Sequence, residues 1–220
     1  MPIDKRATLA DTLDGVSDGA TVFITGFGGA GFPNKLLRAL RDKGPKDLTL
    51  VVNSATHRYS VTHELIAADL VRKVICTAAR GHDKEPSAFE TRWMAGKIEL
   101  EMVPQGSFTE RIRAGGAGIP AFYTPVGFGT ELTQGKEIRR FGDRDYVMET
   151  AITGDLALVR ADTADRLGNL VFNYAQMNFG PAMASAAKLA VAEVRTISED
   201  LLQRERIQLP GTYIDRVVAV

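Results

Sequence analysis

Residues 18–33, DGATVFITGFGGAGFP, decide the fold class. Asp18-Gly19 is a turn pair, and Thr21-Val22-Phe23-Ile24-Thr25 is a short apolar run of the kind that forms a strand buried on both faces. Gly26-Phe27-Gly28-Gly29-Ala30-Gly31 follows without a break. Pro33 and NKLLRALRDKG (34–44) then predict a helix with proline near its first turn and Gly44 as its stop. Strand, glycine loop and helix together open a βαβ unit. Glycines in such a loop let backbone approach a ligand, and the helix start offers unpaired N–H groups to an anion. The same glycines also suit a tight turn that binds nothing.

The pattern continues outward from this unit. LTLVVN (48–53) is a second strand, residues 60–69 have helical spacing, and VRKVICTAA (71–79) is a third strand. PSAFETRWMAGK (86–97) reads as a helix stopped by Gly96, and IELEMV (98–103) alternates. The first residues, MPIDKRATLADTL, predict an amphipathic helix with Leu9, Leu13 and Val16 on one face. Residues 104–135, rich in glycine with Pro104, Pro120 and Pro125, predict a long loop region around one short helix, for which Ser107 and Glu110 form a capping box. EIRRFGDRDYVMET (137–150) is a β-hairpin turning at Gly142-Asp143. LALVRADTA, NLVF and LAVAEVRTI add strands, PAMASAAK adds a helix, and Val217-Val218-Ala219-Val220 closes the chain. The expected fold is a single α/β domain over residues 1–220: an open, mostly parallel sheet flanked by helices, with an inserted β-hairpin and glycine-rich loops.

Composition narrows the function. Lys plus Arg and Asp plus Glu are both 27, a balance that carries no footprint for nucleic acid or an anionic membrane. A single cysteine, Cys76, forbids an internal disulfide and a cysteine zinc cluster, which predicts a reducing, cytoplasmic address. Within its apolar strand Cys76 reads as a buried, inert thiol. His57, His63 and His82 are too scattered for a metal triad, so no metal site is expected. Trp93, with Phe89 four residues before it, predicts a helix face against the core. Ser54 and Ser107 lack the strand-to-helix elbow of a hydrolase nucleophile.

Residues 26–31 satisfy G-x-G-x-x-G between a strand and a helix, the context of a dinucleotide fingerprint. That reading requires an acidic residue at the end of the second strand to hold ribose hydroxyls. Here the strand ends in Asn53 and Ser54, and the nearest carboxylate, Asp47, stands at the wrong end.

Residues 18–33 instead resemble the signature of the family I CoA-transferases: Asp-Gly or a similar pair, three apolar residues, Gly-Gly-Phe, three residues, then Gly-x-Pro. Thr25 stands where that pattern has its first glycine. The resemblance runs on through VRKVIC, AGKIELEMVPQGSFTERIRAGGAGIPAFYTPVGFGT, AITGDLALVRA, DRLGNLVF and RVVAV, and it is specifically to the α (A) subunits of 3-oxoacid and 3-oxoadipate CoA-transferases. It implies the CoA-transferase (NagB/RpiA-like) sheet and transfer of CoA from an acyl-CoA to a small carboxylic acid. It implies no bound cofactor, because the coenzyme A thioester is itself the substrate. In such enzymes a glutamate takes CoA covalently, and it belongs to a Ser-Glu-Asn-Gly type motif on the β subunit. This chain has no such motif, so the resemblance implies a partner subunit carrying the catalytic glutamate.

What the resemblance leaves to this chain is positioning and charge stabilisation. Asn53 matches the first asparagine of an Asn-Asn-Ala-Gly segment and is implied as an oxyanion donor; Gln105 matches a glutamine lining the same pocket. Gly26, Gly28, Gly29 and Gly31 would present backbone to the substrate, and Gly115, Gly116 and Gly118 with Ile119 and Pro120 would form another pocket wall. Each amide also reads as a loop side chain satisfying local backbone. The chain departs from the family at Asn53-Ser54-Ala55-Thr56, at His57-Arg58-Tyr59, and at residues 173–177, where three basic positions are lost. Arg58 or Arg80 can replace that charge, or can be solvated surface residues. These departures leave open an acyl-CoA hydrolase of the same fold, or a non-catalytic homologue that only pairs with a β-like partner.

Overall fold

The computed structural model describes residues 4–57, 59–81 and 83–220. Its strands are β1 (Thr21–Ile24), β2 (Leu48–Val52), β3 (Val71–Cys76), β4 (Glu99–Met102), β5 (Ala121–Thr124), β6 (Ile138–Phe141), β7 (Arg144–Thr150), β8 (Gly154–Ala164), β9 (Leu170–Val171), β10 (Ala187–Ile197) and β11 (Arg216–Ala219). Its α-helices are α1 (Asn34–Lys43), α2 (Thr62–Ala67), α3 (Ala88–Met94), α4 (Gln105–Gly116) and α5 (Gly180–Ser185). The main sheet has the order β11-β10-β8-β1-β2-β3-β4 with every neighbour parallel, and β9 pairs antiparallel with β8. The order reverses at β1: β2, β3 and β4 run off one side, whereas β8, β10 and β11 lie on the other. Open α/β sheets bind ligands beyond the carboxyl ends of the strands at such a switch point.

Strand periodicity sends alternate side chains into two cores. Val22, Ile24, Leu50 and Val52 face α1, α2 and α3, where Leu36, Leu37, Leu40, Leu65, Ile66 and Phe89 are buried. Phe23 and Val51 face α4 and α5 through Phe108, Ile112, Met183 and Ala184. Gly44 stops α1 in the left-handed conformation with φ 74°, donating its N–H to Leu40 O.

Four expectations change. The opening segment is not an amphipathic helix: only Asp11–Leu13 forms a 3-10 turn, and Arg6 bridges Val217 instead. Leu13 is buried there while Leu9 is exposed, because the segment runs along the sheet edge rather than over a face. Residues 104–135 hold more regular structure than a loop region around one short helix: α4 takes up most of the first half, and β5 lies in the second. Ser107 does not cap α4, because the helix begins two residues earlier behind Pro104, which buries Ser107 inside the first turn. Trp93 is half exposed while Phe89 is buried, so only one of the pair faces the core. The hairpin of β6 and β7 turns at Gly142-Asp143 and recruits β5 into a separate three-stranded antiparallel sheet. No helix of the described residues is long and apolar enough to cross a membrane.

Candidate functional site at the strand carboxyl ends

The glycine loop leaves β1 at the switch point. Phe27 and Ala30 exchange both backbone hydrogen bonds at 3.0 Å, which makes Gly28 and Gly29 the two central residues of a tight turn, with φ of 59° and 93°. Two positive φ values in succession are what glycine tolerates without strain. A side chain on Gly26 would meet the Phe32 ring at 2.1 Å, and one on Gly31 would meet Asn178 Nδ2 at 2.4 Å. These two glycines are therefore fixed by packing, whereas Gly28 and Gly29 form the tip. The N–H groups of Gly28 and Gly29 donate to no other group among the described residues.

Two side chains hold the loop. Thr25, fully buried, donates its hydroxyl to Gly31 O at 2.7 Å and accepts the Arg160 N–H at 3.2 Å, so it ties the far end of the loop to β8. Asn178 accepts from Gly26 N at 3.1 Å and donates to Gln176 O at 2.8 Å, joining the loop to residues 173–178. The sequence reading missed both roles. For Thr25 the available signal was the departure itself: a hydroxyl placed where a glycine was expected, next to a turn that needs acceptors and donors satisfied.

Asn53 sits at the carboxyl end of β2 and is 7% exposed. Its Nδ2 donates to Thr77 Oγ1 at 2.9 Å, and its carbonyl accepts the Thr77 N–H at 2.9 Å, fixing the amide between β2 and β3. One Nδ2 hydrogen remains after that bond. Gln105 is the first residue of α4 and is exposed, on the same carboxyl-end side. The start of α4 comes near the loop through a chain of edge-to-face rings, with Phe108 5.5 Å and Phe27 6.2 Å from the Phe179 centroid. Gly115 and Gly116 are not brought to this group. A Cβ on Gly115 would lie 2.2 Å from Ile152 O, and one on Gly116 2.2 Å from Ser185 Oγ. Ile152 and Ser185 lead into β8 and β10, so these glycines lie at the amino ends of the strands, with Gly118 just past the end of α4.

A cavity of about 450 Å³ opens beside the loop, lined by residues 29–32, Asn34, Tyr59, Arg160, Asn173, Tyr174 and Gln176. Asn34 accepts from Val61 N and donates to Tyr59 O, which anchors the segment after Asn53 to α1. His57 packs against Phe32 with centroids 4.6 Å apart and ring planes tilted by 40°, and His63 Nδ1 meets Ser60 O. Among the described residues no group of three or more His, Cys, Asp or Glu could hold a metal ion. Burial pushes the Cys76 thiol up to about 11, so it holds its proton at neutral pH. Arg80 lies elsewhere, paired with Glu90 at 2.8 Å, while Arg58 and His82 fall outside the described residues.

A family model described as Coenzyme A transferase matches residues 6–220. The chain belongs to the coenzyme A transferase family. Among relatives of this CoA-transferase chain, the A subunit of the 3-oxoadipate CoA-transferase of Pseudomonas putida is 44% identical over 214 residues, which cover 97% of this chain and 92% of that one. The A subunit of the succinyl-CoA:3-ketoacid coenzyme A transferase of Xanthomonas campestris pv. campestris (strain B100) is 44% identical over 216 residues, covering 98% and 86%. The fold matches the acyl-CoA transferase of E. coli O157:H7, solved as a thioester complex with CoA, at a TM-score of 0.81 and 21% identity. That match takes in 100% of this chain and 48% of the other, so this family member corresponds to about half of the longer protein.

Proposed function

We propose that this chain is the α (A) subunit of a two-subunit 3-oxoacid CoA-transferase, which moves CoA from an acyl-CoA such as succinyl-CoA to a 3-oxo acid. The observation that carries this reading is the 44% identity, over nearly the whole chain, to proteins named as the A subunits of such enzymes. The nucleophilic glutamate comes from a cytoplasmic partner β subunit. Its carboxylate attacks the thioester carbonyl, and the oxyanion collapses to expel CoA thiolate, leaving an acyl-glutamyl anhydride. The thiolate then attacks the glutamyl carbonyl, freeing the acid and leaving a glutamyl-CoA thioester, and the acceptor carboxylate runs the sequence in reverse.

This chain supplies donors that are already in place when charge develops on the thioester oxygen. Asn53 offers its remaining Nδ2 hydrogen, and Gly28 and Gly29 offer their N–H groups at the loop tip. Gln105 meets the incoming carboxylates from the start of α4. The support is geometric: these groups share the carboxyl-end side of the sheet, with Asn53 held by Thr77 and the glycine loop by Thr25 and Asn178. The test is a screen of succinyl-CoA and acetyl-CoA against several 3-oxo acids, using this chain reconstituted with a β subunit. Acceptor-dependent transfer supports the reading; release of free CoA without an acceptor acid identifies a hydrolase instead.

A further inference from the structure

One charged side chain in the cavity beside the glycine loop has no assigned task. Arg160 is the only charged residue lining that cavity among the described residues. Its side chain is 19% exposed, whereas Tyr174, on the same cavity, is 95% exposed. Its backbone position is fixed by the bond to Thr25, beside the loop. Arg160 Nη1 lies 3.6 Å from Glu193 Oε1, a distance that balances charge without forming a hydrogen bond, and Nη1 has no other partner among the described residues. Glu193 directs its second oxygen to the N–H groups of Lys35 and Leu36, at 2.8 and 2.9 Å, and so caps α1 rather than satisfying the arginine. Nη1 is closed off against Glu193, whereas Nε and Nη2 make no hydrogen bond among the described residues, and a partly buried guanidinium with such donors to spare carries a desolvation cost that a ligand acceptor relieves. The acceptor matching its planar fork is a carboxylate.

We propose that Arg160 is a specificity-determining residue of the transfer reaction, binding a substrate carboxylate remote from the carbon that exchanges CoA. The proposal rests on the CoA-transferase reading. Gly29, one of the proposed oxyanion donors, lines the same cavity as Arg160, so an acyl group whose reacting carbon meets the loop tip can extend its far end toward the arginine. Arg160 supplies a positive charge beside residues 173–176, within the stretch where the basic positions of the family are lost.

The reconstituted αβ pair carrying Arg160→Gln is compared with wild type on succinyl-CoA, which has a remote carboxylate, and on butyryl-CoA, which does not. KM for succinyl-CoA rises about 10- to 100-fold with kcat changed less than about threefold, and the butyryl-CoA constants move less than about threefold. Arg160→Lys, which keeps the charge and loses the fork, falls between. Equal losses on both donors would make Arg160 a structural residue and overturn the proposal. Calorimetric binding of succinate and of free CoA to the same complexes needs no turnover. Succinate affinity falling while CoA affinity holds supports the proposal; the opposite pattern places the arginine on a CoA phosphate and overturns it. If Arg160→Gln does not assemble, Arg160→Lys decides, since an unchanged succinate affinity contradicts the proposal. A wild-type pair that turns over no acyl-CoA contradicts the transferase reading, and the calorimetric comparison still decides Arg160.

Discussion

Thr25 turns a mismatch with the family signature into a fastening. Its buried hydroxyl serves Gly31 O and the Arg160 N–H together, so Thr25→Val leaves a carbonyl and an N–H without a partner while keeping the shape. We expect this variant to lose about 1–3 kcal/mol of stability in denaturant unfolding, with Thr25→Ser close to wild type. Asn53 was a candidate because it matches the first asparagine of the family segment, and it stands at the end of a parallel strand, where such sheets bind ligands. Its bond to Thr77 was not legible, since it joins residues 24 apart on neighbouring strands. If Asn53 is an oxyanion donor, Asn53→Ala lowers kcat of the reconstituted pair by about 100-fold or more, and an unchanged rate removes it from the mechanism. Ser107 shows the opposite limit of local reading: a serine three residues before a glutamate resembles a cap, yet the preceding proline had already started the helix.

At the scale of elements, the expected short helix is longer than the sequence suggested, because the glycines at the end of α4 read as loop. Gly115 and Gly116 occur in its last turn because α4 packs there against Ile152 and Ser185 too closely for a Cβ. Gly115→Ala should therefore cost about 1–3 kcal/mol of stability, as overpacking against a backbone carbonyl does, and leave KM for the acyl-CoA within about twofold. A substantial change in KM would return this segment to the substrate pocket. The same helix carries Arg111, which joins both sheets: its Nη1 donates to Glu101 on β4 at 2.6 Å and its Nε to Thr150 O on β7 at 2.7 Å. Lys73 on β3 also meets Glu101, at 2.7 Å. Burial pushes the Glu101 carboxyl up, but the bonds from Lys73 and Arg111 outweigh it and hold the group below its ordinary 4.5. A depressed carboxyl contributes stability above the unfolded value and loses it as pH falls below about 4.5. The gap in Tm between wild type and Glu101→Gln should accordingly shrink from pH 7 to pH 3.5, and a gap independent of pH would contradict this link.

For the whole molecule, the parallel α/β sheet was legible because apolar runs such as TVFIT and LTLVV, separated by helical spacing, leave few other folds. The strand order and the second sheet were not. A hairpin announces itself through Gly142-Asp143, whereas the pairing of β5 with β7 joins residues 121–124 to residues 147–150 and depends on where α4 ends. The function divides in the same way. The glycine loop, Asn53 and Arg160 belong to one chain, but the chemistry proposed for them requires a nucleophile from a partner. Assaying CoA transfer from succinyl-CoA to 3-oxo acids with the purified chain alone, with its β partner alone and with both together tests that division most directly. Transfer is expected only from the pair, with CoA trapped covalently on the β partner; transfer by the isolated chain would contradict a divided site.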